Sequence, residues 1–397
     1  MRASRLALCI GWVAFIGGTL APLGCEREVE VGPAAPAPSA AAVAPSVLPA
    51  PQRGPRPVPK KAQKIVILAG GDVSLARGCG QRILDDPTYN PLQAVAPLLR
   101  KADLTFVNLE SQLTDQGGVT QSPHHPLVFC GPPGGAKTLA RAGIDVVSLA
   151  NNHIWDYGKS ALFETMDYLD AAKVAYAGVG RQEGEAWKAR LLEVKGWKVA
   201  WLAVTDIWNQ GALDSHVARD YVAQADPWAT GIAIRKARDQ GADLVLVSYH
   251  GGSEYLDEPV QRARRFVQVV MNAGADAILG HHPHVPQGVA WFRGRRPVFY
   301  SLGNLVFAMH RDYPWTGTSF FARLTFGQDG DVRVEACPYF IMGHKPQLFD
   351  QDRARRPREL QLQRHLRTIS ATVGGTDVGE PGEHSCIPLT PRPRDQR

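Results

Sequence analysis

The sequence lacks the marks of a nucleic-acid-binding, fibrous or disordered protein. Its 397 residues carry a formal charge of only +6. No DNA- or RNA-recognition motif accompanies the excess of lysine and arginine, so nucleic acid is not an expected partner. Charged residues make up 21% and hydrophobic residues 44%, the balance of a globular chain. There is no internal repeat. Cysteine is sparse, six in all, and none stands at Cys-x-x-Cys spacing, which argues against a zinc–thiolate centre.

What is present begins at the N-terminus. Arg2 and Arg5 precede an apolar run from Leu6 to Gly24 that stops at Cys25. A basic start, a short apolar core and a small residue before the stop form the layout of a secretory signal. Leu23-Gly24-Cys25 resembles a lipobox, in which Cys25 becomes the lipidated first residue, although Pro22 stands where Leu is usual. An uncleaved anchor and soluble export are the two other readings, and all three export the domain to the periplasm or the cell exterior. Residues 26–63 are dominated by Ala and Pro and read as an extended spacer that lifts a folded domain off a membrane. With Cys9 in the signal and Cys25 lipidated, Cys79, Cys130, Cys337 and Cys386 remain. An even number in an oxidising compartment allows two disulfides in three pairings. Cys79–Cys130 is the preferred pair, because both sit in loops near the candidate site; buried free thiols are the alternative.

From Lys64 onward, short β-rich runs alternate with helical stretches. The predicted strands are 64–70, 104–108, 145–150, 198–204, 243–249, 276–280 and 297–302, with predicted helices at 92–102, 136–142, 159–173, 231–240 and 259–273. Most of the strand runs are continuously apolar, as strands buried on both faces are. The alternation predicts an α/β domain over 64–369 with a largely parallel or mixed sheet. Two later strands flank Asp329-Gly330, a hairpin signal. Residues 370–397 are rich in Gly, Pro and Thr and are expected to form a loose tail unless Cys386 ties it down.

The informative pattern is what stands at the strand ends. Asp72, Glu110, Asn152 with His153, His250, and the run His281-His282-Pro283-His284 each follow a strand. Ligand sites of open α/β sheets form outside the carboxyl ends of their strands, so these residues are expected to converge. A lone strand-end Asp or His is usually a cap or a packed side chain. Three imidazoles in four residues are harder to explain structurally. In an extended segment His282 and His284 point the same way and reach one centre. Carboxylates, an amide and imidazoles without thiolates form a ligand set suited to Mn²⁺, Fe or Zn²⁺, as a pair of ions bridged by one carboxylate.

The segments SLANNHIWDYG (148–158), HGGSEY (250–255), GHHPHV (280–285) and YSLGN (300–304), with GDVSL near the start and NLES at 108–111, resemble the bacterial capsule-synthesis, or CapA-like, family of poly-γ-glutamate biosynthesis. That family is similar to the calcineurin-like metallophosphoesterases. The resemblance spans roughly residues 65–307 in order. It implies a four-layer α/β sandwich, two packed mixed β-sheets flanked by helices. It further implies Asp72, Glu110, Asn152, His250, His282 and His284 as metal ligands, with Glu110 bridging. His153 would act as general acid or oxyanion stabiliser, oriented by Asp156, and Glu254 is a second candidate acid/base. Tyr300 and Asn304 are candidates to line the pocket. Ser74 stands where phosphoesterases carry the imidazole of Asp-x-His, and Glu110 where they generally carry Asp.

Two functions of different class follow. One is a metal-dependent hydrolase acting on a phosphoester or on an amide or γ-glutamyl bond of an anionic cell-surface polymer. The other is a non-catalytic, membrane-anchored accessory subunit of a polymer synthesis or export complex that binds the anionic chain.

Overall fold

The computed structural model describes residues 62–307 and 313–393. The expected export signal, Cys25 and nearly all of the Ala/Pro-rich spacer lie outside the described residues. In chain order the domain runs β1 (Lys64–Val73), α1 (Arg77–Asp85), α2 (Ala96–Leu99), β2 (Leu104–Leu109), β3 (Gln112–Leu113), β4 (Cys130–Gly131), α3 (Gly134–Ala142), β5 (Val146–Ser148), α4 (Gly158–Ala172) and β6 (Ala175–Ala177). It continues β7 (Arg190–Val194), β8 (Trp197–Thr205), α5 (Pro227–Asp239), β9 (Leu244–His250), α6 (Gln261–Ala273), β10 (Ala277–His281), β11 (Val289–Phe292) and β12 (Arg296–Phe299). The last part is β13 (Asn304–Val306), β14 (Thr318–Gly327), β15 (Val332–Met342), β16 (Lys345–Leu348), α7 (Arg356–Ala371), β17 (Thr376–Val378) and β18 (Ile387–Pro391).

Apart from the separate β3–β4 pair, these strands make two large mixed sheets. One has ten strands, with the path β17-β18-β15-β14-β1-β2-β5-β6 and with β13 and β16 attached to β1 and β15. The other has six, in the order β11-β12-β10-β9-β8-β7. Their inner faces pack together, as the stacked rings of Phe106 on β2 and Trp201 on β8 show, with centroids 4.9 Å apart. The alternation along β8 is clean. Val199, Trp201 and Ala203 belong to the core shared with the large sheet, while Ala200, Leu202 and Val204 pack with residues of α5 and α6. Both faces are therefore apolar, which is why the strand reads as a continuous hydrophobic run. The parallel steps β2–α3–β5–α4–β6 and β8–α5–β9–α6–β10 each advance in one direction, so each set of helices covers one outer face. The result is the expected helix–sheet–sheet–helix sandwich.

Boundaries differ where local chemistry overrides periodicity. The expected helix at 92–102 is α-helical only over Ala96–Leu99, because Asn90 and Pro91 start it as a series of turns, with the Asn90 side chain accepting from the Leu92 N–H. The expected loose tail is a correction. Helix α7 crosses residue 370, and β17 and β18 extend the large sheet beside β15. A disulfide joins Cys337 on β15 to Cys386, with Cα atoms 4.0 Å apart. The preferred Cys79–Cys130 pairing is likewise corrected. Both are buried free thiols, in α1 and β4, and burial pushes each thiol up to about 12. Cysteine spacing alone does not encode pairing; the β15–β18 register does. Among the described residues no helix is long and apolar enough to cross a membrane.

Candidate metal centre

Two rows of strand ends build the site. In the large sheet the parallel register sets Asp72 beside Asn304 of β13 on one side and Asn108 of β2 on the other, and Asn108 pairs with Ser148 of β5. In the small sheet it sets His281 beside His250, and His250 beside Thr205. The two rows face each other at the carboxyl ends of both sheets. Gly71 makes the approach of β1 feasible: a Cβ there would lie 1.9 Å from the Gly303 carbonyl oxygen, so only glycine fits. Gly280, just before His281, is in the same position against the Tyr300 carbonyl oxygen, at 2.0 Å.

Six of the nominated residues meet here. Glu110 follows β2 immediately and donates its backbone N–H to the Val73 carbonyl. Its Oε1 has no hydrogen-bond partner although it is buried, and it lies 3.8 Å from His250 Nε2 and 3.8 Å from His284 Nε2. His250 Nε2 is also 2.8 Å from Asn152 Oδ1. The Asn152 amide is oriented by its own Nδ2, which donates to Asn209 Oδ1 at 3.1 Å. His284 Nδ1 lies 2.9 Å from Asn304 Oδ1 and 3.4 Å from Asp72 Oδ2. His282 donates its backbone N–H to Asp72 Oδ2, and its Nδ1 is buried without a partner. His282 and His284 converge, but not by extension: their φ angles are 94° and 58°. Left-handed backbone at two histidines carries strain of the kind that collects at functional sites.

The electrostatics follow from burying so many ionisable groups together. Burial alone would raise Asp72, yet hydrogen bonds with His281 and His284 hold it well below the usual carboxylate range. Burial, and then the Asp72 charge, push Glu110 well above that range. Burial and the neighbouring His282 press His250 well down, and burial with His284 brings His282 to about 3. His284 goes the other way: burial opposes its charge, but Glu110 and Asp72 raise it to about 9.

A donor set with orphaned buried atoms is the condition under which a cation fits. Three clusters have donor atoms mutually within 4.8 Å: Glu110, His250 and His282; Asp72, Glu110 and His284; and Glu254, His282 and His284. Two donors on one ion, each about 2.0–2.2 Å away, sit roughly 3–3.6 Å apart, so the 3.8 Å and 2.8 Å separations suit ligation with small adjustments. Glu110 belongs to two clusters, as a bridging carboxylate requires.

His153 and Asp156 flank this centre. His153 Nδ1 and Asp156 Oδ2 are 2.9 Å apart, and the Phe129 N–H donates to the same oxygen. The His153 ring stacks on Phe129 at 4.1 Å, which leaves the rest of the ring fixed. Tyr300, by contrast, packs with the cluster on the outer face of the small sheet. Ser74 is buried, and its N–H donates to the Val306 carbonyl.

Four participants have no individual role assigned in the sequence reading. Asn108 Nδ2 lies 2.9 Å from Asp72 Oδ1, 3.5 Å from Glu110 Oε2 and 3.2 Å from His250 Nδ1, so it ties together three candidate ligands. His281 Nδ1 is 3.1 Å from Asp72 Oδ1. Both stand at strand ends, the signal that revealed their neighbours. Asn209 lies on the loop after β8. Arg77 had no signal: its guanidinium lies 4.3 Å over Phe129, on the stack that includes His153, and feels the charges of Asp156 and Glu110.

Residues 66–309 match the family described as bacterial capsule synthesis protein PGA_cap. The chain is 30% identical over 274 residues to the PGA biosynthesis protein CapA of Bacillus subtilis, covering 68% of this chain and 70% of that one. It is 29% identical over 293 residues to the capsule biosynthesis protein CapA of Bacillus anthracis, covering 72% and 70%. Among solved structures, the calcineurin-like phosphoesterase YfkN of Bacillus subtilis aligns with 77% of this chain and 98% of its own at 15% identity, with a TM-score of 0.45. The protein belongs to the PGA_cap family of bacterial capsule synthesis proteins.

Proposed function

We propose that this protein is an exported, metal-dependent hydrolase that processes an anionic cell-surface polymer of the poly-γ-glutamate type. The observation that supports it most is the pair of orphaned, buried donors, Glu110 Oε1 and His282 Nδ1, inside a ring of Asp72, Asn152, His250 and His284. Leaving such groups unpaired costs roughly 1–3 kcal/mol each, a cost that ligation to a cation removes. Glu110, Asn152, His250 and His282 would hold one divalent ion, and Asp72, Glu110 and His284 another, as Mn²⁺, Fe²⁺ or Zn²⁺. Bound there, such ions polarise a scissile group and lower the pKa of water.

The chain's own residues supply the rest. Asp156 accepts from His153 Nδ1 and so presents the opposite nitrogen, Nε2, which in the imidazolium form, stabilised by the Asp156 carboxylate, donates a proton to a leaving group. Phe129 holds that ring in place. Arg77, whose guanidinium lies over the same phenyl ring, offers a half-buried cation to an anionic substrate. Membrane attachment through Cys25 would keep the domain beside its polymer.

The decisive experiment strips the purified protein of metal, reloads it with Mn²⁺, Fe²⁺ or Zn²⁺, and assays phosphoesters and poly-γ-glutamate side by side. Metal-dependent shortening of the polymer or release of phosphate is expected. Metal uptake and polymer binding without any bond cleavage would overturn the hydrolase reading in favour of an accessory polymer-binding role.

A further inference from the structure

We propose that Glu254 is a metal ligand, which with His282 and His284 forms the open face of the centre and shares His284 with the donor-short cluster of Asp72, Glu110 and His284. The inference rests on the metal-centre reading above and extends it to a residue outside the buried ring. A carboxylate oxygen of Glu254 and a nitrogen of each imidazole all lie within 4.8 Å of one another. His282 Nδ1 is buried and has no hydrogen-bond partner. The position of Glu254 is not an accident of a wandering loop. Gly251 donates its N–H to the His281 carbonyl at 3.1 Å, and Tyr255 donates its own to the Pro283 carbonyl at 2.8 Å. The segment carrying Glu254 is thus clamped at both ends to the segment carrying the imidazoles. Tyr255 has φ 62°, so three residues with side chains adopt left-handed backbone within the two clamped segments. Each costs about 1–3 kcal/mol, a cost borne where the surrounding structure fixes side chains for a task.

The chemistry agrees with the geometry. Without an imidazole at position 74, the Asp72, Glu110 and His284 cluster is one donor short of the four that the Glu110, Asn152, His250 and His282 set provides. Ser74 is buried, carries a hydroxyl where an imidazole would stand, and has its backbone tied to Val306. Glu254 is exposed, so it can reach an ion from the solvent side. A carboxylate in place of an imidazole makes the donor set harder, which shifts preference toward Mn²⁺ or Fe²⁺ and away from softer ions.

The test is metal binding by the full chain, stripped with chelator and titrated with Mn²⁺ by calorimetry, with metal content measured after dialysis. Glu254→Ala and the isosteric Glu254→Gln should each weaken the most weakly held Mn²⁺ by about tenfold or more. Their metal-free melting temperatures should match the wild type, because the side chain is exposed. Unchanged Mn²⁺ affinity in both variants, with turnover alone reduced, would make Glu254 an acid/base residue and overturn the proposal. A wild-type chain that takes up none of Mn²⁺, Fe²⁺ and Zn²⁺ would instead bring down the metal centre itself.

Discussion

Glu110 Oε1 stands 3.8 Å from His250 Nε2 and the same distance from His284 Nε2, between the imidazole that ends β9 and one from the segment that follows β10. One carboxylate oxygen thereby couples the strand ends of the large sheet to those of the small sheet. Everything that perturbs either sheet's register is felt at that oxygen, and the expected consequences can be measured.

Ligands and proton carriers should separate under mutation. His282→Ala is expected to lower metal affinity by more than the roughly 10–100-fold that loss of an outer-shell partner costs. His153→Ala should leave metal content unchanged and reduce turnover by about 10²–10⁴-fold. Elemental analysis and steady-state kinetics on the same preparations check both. Equal metal loss in the two variants would refute the assignment.

Metal affinity should rise with pH. Glu110 is held above its ordinary range by burial and Asp72, and His284 is raised to about 9 by Glu110 and Asp72 against the effect of burial. Both shifts favour a bound proton in the metal-free site, and a ligand must lose its proton to bind. The same signs make the metal-free fold lose stability as pH climbs through these raised values. Calorimetry in buffers of different ionisation enthalpy should show proton release on Mn²⁺ binding, together with tighter binding at pH 8 than at pH 6. Binding that is flat across that range would contradict a site whose ligands hold protons when metal-free.

Arg77 should matter for substrate and not for metal. Losing a charge-assisted hydrogen bond worth about 1.5–3 kcal/mol corresponds to a roughly tenfold or greater rise in KM for an anionic substrate in Arg77→Ala. Arg77→Lys, which keeps the charge, should recover part of it. A KM that does not move in Arg77→Ala removes Arg77 from the site.

The cysteines divide cleanly. Cys79 and Cys130, buried and raised to about 12, should resist alkylation at pH 8 in the native protein and react once it is unfolded. Cys337 and Cys386 should react only after reduction. Cys386→Ala is expected to cost about 2–4 kcal/mol, the entropy of the loop it closes. Peptide mapping by mass spectrometry and denaturant melts read these outcomes.

Much of this was legible in the sequence because parallel strands with both faces buried announce themselves as apolar runs, and their ends can be read for polar residues. Asp72, Glu110, Asn152, His250, His282 and His284 were all found by that one rule. Asn108 and His281 obeyed it too, but each stands beside a stronger candidate, and only the register between strands shows that Asn108 lies next to Asp72. Arg77 and Asn209 follow no strand-end rule; tertiary packing alone brings them in. The bends at His282 and His284 were also invisible, since an alternating pair of histidines suggests extension when the backbone in fact turns. The tail at 376–391 misled for a related reason. Its Gly- and Pro-rich composition describes the turns and says little of strands short enough to be decided by their partner, β15.

Strand β1 lies in the interior of the large sheet, hydrogen-bonded to β2, β13 and β14, with Lys64 opposite Gly327. The first strand of the domain to leave the ribosome therefore waits for the polypeptide's last third before its second edge is covered. Until then it offers a bare apolar margin, and Asp72 lacks both Asn304 and the histidine run. A nascent or truncated chain can thus form α1–α6 and the strands between them without a complete donor set. Assembly of the site therefore requires nearly the whole domain, and products that stop before β13 should expose an edge of β1 and aggregate.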